Sequence, residues 1–138
     1  LQGMDSVDND RMAIAGHCMG GRVSFLGATS IEAFKCNVVY YGGNMFKIWG
    51  NGDAPPFEKL GDLRGPVIGF YGKDDENPSP DDMTKIDAKL TELGITHEFH
   101  SYEGAGHAFQ NFTNPAGYRA AATEDSFAKM IAWLGKNL

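Results

Sequence analysis

The stretch AIAGHCMGGRV, Ala13 to Val23, sets the interpretation of everything around it. Small apolar residues run into a cysteine fenced by glycines two residues before it and two after. Arg11–Ala15 is a short strand candidate that Gly16 ends. Gly20 to about Phe34 reads as a helix, with Val23, Leu26 and Ile31 as apolar positions at roughly helical spacing. Its glycines weaken that helix, each by about 1 kcal/mol against alanine.

A strand, then G-x-C-x-G-G, then a helix is the thiol form of a nucleophile elbow. The residue types follow from the geometry. A nucleophile on a strained turn needs Gly16 and Gly20 small, where strand and following helix come close. A helix N-terminus beneath Cys18 favours negative charge and lowers the thiol pKa. The N–H of Met19, directly after the nucleophile, points to where an oxyanion forms. The bland alternative is a small buried hydrophobe in a glycine-rich turn. The turn is no P-loop, because no Gly-Lys-Ser/Thr follows, and it lacks the G-x-G-x-x-G dinucleotide spacing.

Downstream, Asn37–Tyr41 (NVVYY) is a buried strand stopped by Gly42-Gly43. Asn44–Gly65 is a loop-rich excursion whose Phe46, Ile48 and Trp49 either cover the site or merely pack. Pro66–Tyr71 is the next buried strand, with proline tolerated at its start. Ser79-Pro80-Asp81-Asp82 then starts a helix, with Met83, Ile86, Leu90 and Leu93 on one face and Gly94 closing it. Thr96–Tyr102 is a strand candidate, and Gly117–Leu138 a final amphipathic helix with Phe127, Met130, Ile131 and Leu134 as its buried side. Strands alternating with helices indicate an α/β architecture with a mainly parallel sheet.

That alternation gives Cys18 partners. The strand Val67–Tyr71 leads into Gly72-Lys73-Asp74-Asp75, and the strand Thr96–Tyr102 leads into Gly104-Ala105-Gly106-His107. Both loops leave the carboxyl edge of the sheet, where ligands collect in such folds. Nucleophile, acid and histidine in that chain order are the α/β-hydrolase arrangement.

The bulk composition agrees with a single domain. The chain has 138 residues, 42% hydrophobic and 22% charged, enough for one core. A net charge of −6 argues against nucleic acid and anionic membrane surfaces as partners. No apolar run reaches the ~20 residues of a membrane span. Two cysteines are too few for a disulfide framework, so a cytoplasmic location is expected, with Cys36 in the core. His97 and His100, at i and i+3 on a strand, face opposite sides and suit no shared metal ion. His17 adjoins the thiol in sequence and is expected to point elsewhere, with lining of the pocket as its alternative role. The chain opens on Leu1, and a piece of a longer protein is expected.

The pieces GHCMGG around Cys18, VVYYGG at 38–43, FYGKDDENPSP at 70–80 and EFHSYEGAGHAF at 98–109 resemble the dienelactone hydrolase family. The resemblance implies an α/β-hydrolase fold, three layers α/β/α around a mainly parallel eight-stranded sheet, of which residues 1–138 form the C-terminal half as a single domain portion. It implies hydrolysis of a small-molecule lactone or ester through a thioester, with Cys18, Asp75 and His107 as catalytic residues and Met19 as an oxyanion donor. Asp75 is chosen over Asp74 because the family pattern is G-x-x-D, counted from Gly72. No metal or organic cofactor is implied.

Two departures accompany it. Where the best-known members bind the substrate carboxylate with an arginine four residues after the histidine, this chain has Asn111; Arg119 is no obvious substitute. A broader esterase or lactonase role is therefore expected. The second oxyanion donor and the acid regulating the thiol are expected upstream of Leu1, so residues 1–138 alone are expected to be inactive and prone to aggregate through an exposed strand edge. The competing readings are a related esterase or thioesterase, and a non-catalytic homologue that binds a small molecule.

Overall fold

Val38, Val39, Tyr40, Ile68 and Phe70 are buried almost completely, and they lie on two adjacent parallel strands at the centre of a four-stranded sheet. In the computed structural model, which describes residues 1–138, the strands are β1 (Met12–His17), β2 (Phe34–Tyr40), β3 (Val67–Gly72) and β4 (His97–Tyr102). They stand side by side in chain order, and every pair is parallel. Between them run α1 (Met19–Ser30), a 3₁₀ helix, Pro56–Asp62, and α2 (Pro80–Glu92), and α3 (Ala120–Asn137) follows β4.

The sheet is covered on both faces. Cys36, Val38, Tyr40, Ile68 and Phe70 pack with Ala122 and Trp133 of α3 on one side. Val39, Val67 and Tyr71 pack with Phe25 of α1 and Met83, Ile86 and Leu90 of α2 on the other. Burial on both faces explains why β2 and β3 read as continuous apolar runs rather than alternating ones.

α2 forms where its start signals stand. Ser79 Oγ accepts from the Asp82 N–H at 3.1 Å, and the Asp82 carboxylate accepts from the Ser79 N–H at 3.2 Å, a reciprocal capping box with Pro80 as first residue. Gly94, at φ 67°, takes the left-handed position that ends the helix. Ser79→Ala is expected to lower unfolding stability by about 1 kcal/mol, measured by denaturant melts.

Several expectations need correction. α1 stops at Ser30, and Phe34 belongs to β2. The buried face of α1 is Gly21, Ser24, Phe25 and Ala28, whereas Val23 and Ile31 are about half exposed. Small residues on that face let the helix lie close to the sheet. In α3 the side facing the sheet carries Ala122, Ser126 and Trp133, with Met130 and Leu134 partly buried against it; Phe127 and Ile131 face outward. The buried Tyr40 hydroxyl needs an acceptor, and it donates to the Ser126 carbonyl at 3.1 Å, which draws the small-residue face inward. Leu93 caps α2 and stays partly exposed.

Candidate active site

Cys18 sits between the last residue of β1 and the first of α1, at φ 56° and ψ −121°. No ordinary L-residue conformation has those angles, and such a position costs on the order of 1–3 kcal/mol. The surroundings hold it there. The Cys18 N–H donates to the Tyr40 carbonyl at 3.0 Å, and its own carbonyl accepts from Gly21 N–H at 2.9 Å, opening the helix. A Cβ on Gly16 would lie 1.9 Å from the Gly20 carbonyl oxygen, and one on Gly21 would lie 2.8 Å from Gly42 Cα. The glycines demanded by close approach are therefore Gly16 and Gly21. Gly20, expected to be the second, has open space where its Cβ would stand, because only its backbone meets Gly16.

The three loops at the carboxyl ends of β1, β3 and β4 converge. His107 Nε2 lies 3.0 Å from Cys18 Sγ, and its Nδ1 lies 2.8 Å from Asp75 Oδ2. Asp75 is only 3% exposed at its side chain, and its other oxygen accepts from the Asn77 N–H at 2.8 Å. Asp74 lies outside this line. Beside the imidazole opens a cleft of about 320 Å³ lined by Asp74, Asp75, Glu76, Asn77 and His107.

The electrostatics follow from the contacts. The hydrogen bond to Asp75 raises the His107 pKa to about 9, against a smaller opposing effect of burial. The bond from His107 pulls the Cys18 thiol below its ordinary value; the Met19 N–H, which points at the sulfur, lowers it further against desolvation. Between the lowered thiol value and about 9, the pair is a thiolate beside an imidazolium. An exposed sulfur in that state is a nucleophile.

Tyr41, at φ 39°, closes the far side, its ring edge-on to His107 at 5.2 Å and to Phe109 at 5.4 Å. Burial, then the neighbouring sulfur, pushes its hydroxyl up to about 12. It was missed as a site residue, although the Tyr-Tyr-Gly-Gly ending of β2 marked an abrupt stop there. Arg22, 3% exposed, donates from Nη2 to the Lys47 carbonyl at 2.7 Å and from Nη1 to that of Asn44. Its guanidinium stands over Trp49 at 4.2 Å, so the 44–49 loop is clamped to α1.

The remaining candidates fall outside the site. His97 Nδ1 donates to the Ile95 carbonyl and its Nε2 faces Asp87 Oδ1 at 3.1 Å, while His100 stacks on Phe70 from the other face. Cys36 is fully buried and both cysteines are free thiols. Arg119 is spent on the carbonyls of Gly104, Ala116 and Tyr118, and Asn111 accepts from Thr113. No helix is long and apolar enough to cross a membrane.

A family model described as the dienelactone hydrolase family matches residues 1–138. A curated protein of Methylorubrum extorquens named "Putative carboxymethylenebutenolidase" is 31% identical over 136 residues, 96% of this chain and 45% of that protein. One of the same name from Escherichia coli is 32% identical over 130 residues, 91% of this chain and 46% of its own length. The crystal structure of a "Putative Dienelactone Hydrolase" from Klebsiella pneumoniae superposes with a TM-score of 0.88 at 30% identity, over 95% of this chain and 54% of that one. A dienelactone hydrolase-like promiscuous phosphotriesterase from metagenomic libraries gives 0.83 at 18% identity, a likeness of fold, over 99% of this chain and 56% of that one. The chain thus spans about half the length of the curated relatives it matches.

Proposed function

The chain belongs to the dienelactone hydrolase family, and on that premise we propose that the intact protein hydrolyses a lactone or carboxylic ester through Cys18, His107 and Asp75. The thiolate of Cys18 attacks the carbonyl carbon, and the resulting oxyanion accepts a hydrogen bond from the Met19 N–H. The carbon–oxygen bond then breaks as the His107 imidazolium gives its proton to the departing alkoxide, leaving a thioester on Cys18. A water molecule, losing a proton to His107, attacks the thioester and releases the acid and the thiolate. Asp75 holds His107 with Nδ1 protonated and offsets its charge in both halves of the cycle.

The observation carrying this reading is the continuous line from sulfur to imidazole to buried carboxylate, 3.0 Å and then 2.8 Å, assembled from three separate strand ends. A binding module has no use for that alignment or for a strained nucleophile position. Residues 1–138 are taken as the C-terminal portion of the hydrolase domain, so activity is assigned to the intact protein. The substrate class is set broadly, because neither Asn111 nor Arg119 offers a free cation for a substrate carboxylate.

Iodoacetamide tests the nucleophile directly. Cys18 is expected to alkylate faster at pH 7 than an ordinary thiol such as a free cysteine, with a midpoint below the ordinary thiol value. His107→Ala is expected to shift that midpoint upward towards an ordinary thiol, near 8.5, slowing the reaction at pH 7 by at least tenfold. A wild-type midpoint at the ordinary value would reject the thiolate–imidazolium pair.

A further inference from the structure

The loop that carries His107 has one other hydrogen bond to the strand and elbow that carry Cys18. His17 Nε2 and Gln110 Oε1 are 2.8 Å apart. His17 immediately precedes the nucleophile, and Gln110 comes three residues after the imidazole. The contact therefore bridges the same two segments as the Cys18–His107 contact.

Both ends of this link are anchored. The His17 ring lies flat on Tyr40, with centroids 4.5 Å apart and planes 6° from parallel, and Tyr40 stacks in turn on Phe70. On the other side, Gln110 Nε2 donates to Ser126 Oγ at 3.1 Å, and Ser126 is fully buried in α3. The Ser126 hydroxyl spends its own proton on the Thr123 carbonyl at 3.0 Å. It can thus only accept from Gln110, which turns the amide oxygen toward His17 and requires a proton on His17 Nε2. Every member of the chain has one consistent donor and acceptor assignment.

We infer that Gln110, held by Ser126 and bonded to His17, is a positioning residue that sets the distance between His107 and the Cys18 sulfur. The inference rests on the catalytic reading above. His107 is attached to a loop with a residue of positive φ, Ala108 at 57°, directly after it, and its own side chain is 38% exposed. Packing of Phe109 fixes the loop in depth, towards the core. The His17–Gln110 bond ties it to the residue that directly precedes Cys18. Without that bond the imidazole retains Asp75 and loses its register with the sulfur.

The test uses the pH profile of Cys18 alkylation by iodoacetamide in the intact protein, beside thermal melts. Gln110→Leu removes the acceptor at nearly constant volume, and His17→Phe removes the donor while keeping the ring on Tyr40. Each is expected to move the alkylation midpoint upward and to slow alkylation at pH 7 about fivefold to tenfold. Gln110→Glu keeps an oxygen facing His17 but sets an acceptor against Ser126 Oγ, so it is expected to recover only part of the wild-type profile. The double variant is expected to be no worse than either single one, because both break one bond. If Gln110→Leu fails to fold, His17→Phe reads the same bond from the other side. A lowered wild-type midpoint that neither variant moves would overturn the positioning role and leave the catalytic reading standing. A wild-type midpoint at the ordinary thiol value would instead overturn the catalytic reading itself.

Discussion

Cys18→Ala in the intact protein is expected to abolish hydrolysis of every ester or lactone that the wild type turns over, by roughly 10³-fold or more in kcat/KM. The sulfur forms the bond to the acyl carbon, and the methyl group of alanine cannot replace it. His107→Ala is expected to act almost as strongly, since one imidazole maintains the thiolate, protonates the leaving group and activates water. Asp75→Asn is expected to fall between them and the wild type, by about 10²-fold, because it leaves the imidazole in place with the wrong proton arrangement. Combining Cys18→Ala with His107→Ala is expected to add little to either alone, as residues acting in one step do not sum. Initial rates on a panel of neutral esters and lactones measure all four. Activity of the cysteine variant within tenfold of wild type would exclude Cys18 as the nucleophile.

The second large effect concerns the elbow itself. Gly16→Ala would place a methyl group 1.9 Å from the Gly20 oxygen, 2.2 Å from its carbonyl carbon and 2.7 Å from Gly21 N. All three are backbone atoms of the first turn of α1, so relief requires moving the helix off the strand rather than turning a side chain. A loss of roughly 3 kcal/mol or more is expected, together with loss of the lowered Cys18 pKa, since the same turn sets the sulfur beside His107. Gly20→Ala, four residues on, is the internal control. Its Cβ enters open space within a helix, so it is expected to be neutral or to stabilise by up to about 1 kcal/mol. Denaturant melts of the two variants separate a clash at one glycine from a general intolerance of the loop. Equal effects at both positions would contradict this account.

The elbow, the capping box at Ser79 and the buried strands β2 and β3 could be read from the chain because each depends on contacts only a few residues apart or on an unbroken apolar run. The orientation of the helices could not. In α3, Phe127 and Ile131 are more hydrophobic than Ala122 and Ser126, yet the smaller pair faces the sheet. Hydrophobicity favours one face; the space beneath Tyr40 and the need of its hydroxyl for the Ser126 carbonyl favour the other. The same holds at Gly20, where a glycine in a motif suggested close approach and the neighbouring Gly21 makes it. Arg22 and Gln110 carried no local sign of their positions, since what they touch lies on other segments, and at Tyr41 the Tyr-Tyr-Gly-Gly ending marked a stop but not a place beside His107.

Residue order alone determined that a cysteine stands on a tight strand-to-helix turn, and that an acid and a histidine follow on loops leaving the same sheet edge. Alternating strands and helices make a parallel sheet, and a parallel sheet puts all such loops on one side. Whether the three groups touch is a matter of ångströms, which depend on how far each strand runs, how the loops are tethered and which helix face meets the core. Those distances arise from packing among residues ninety or more positions apart, as Tyr40 and Met130 are, and no local pattern encodes them.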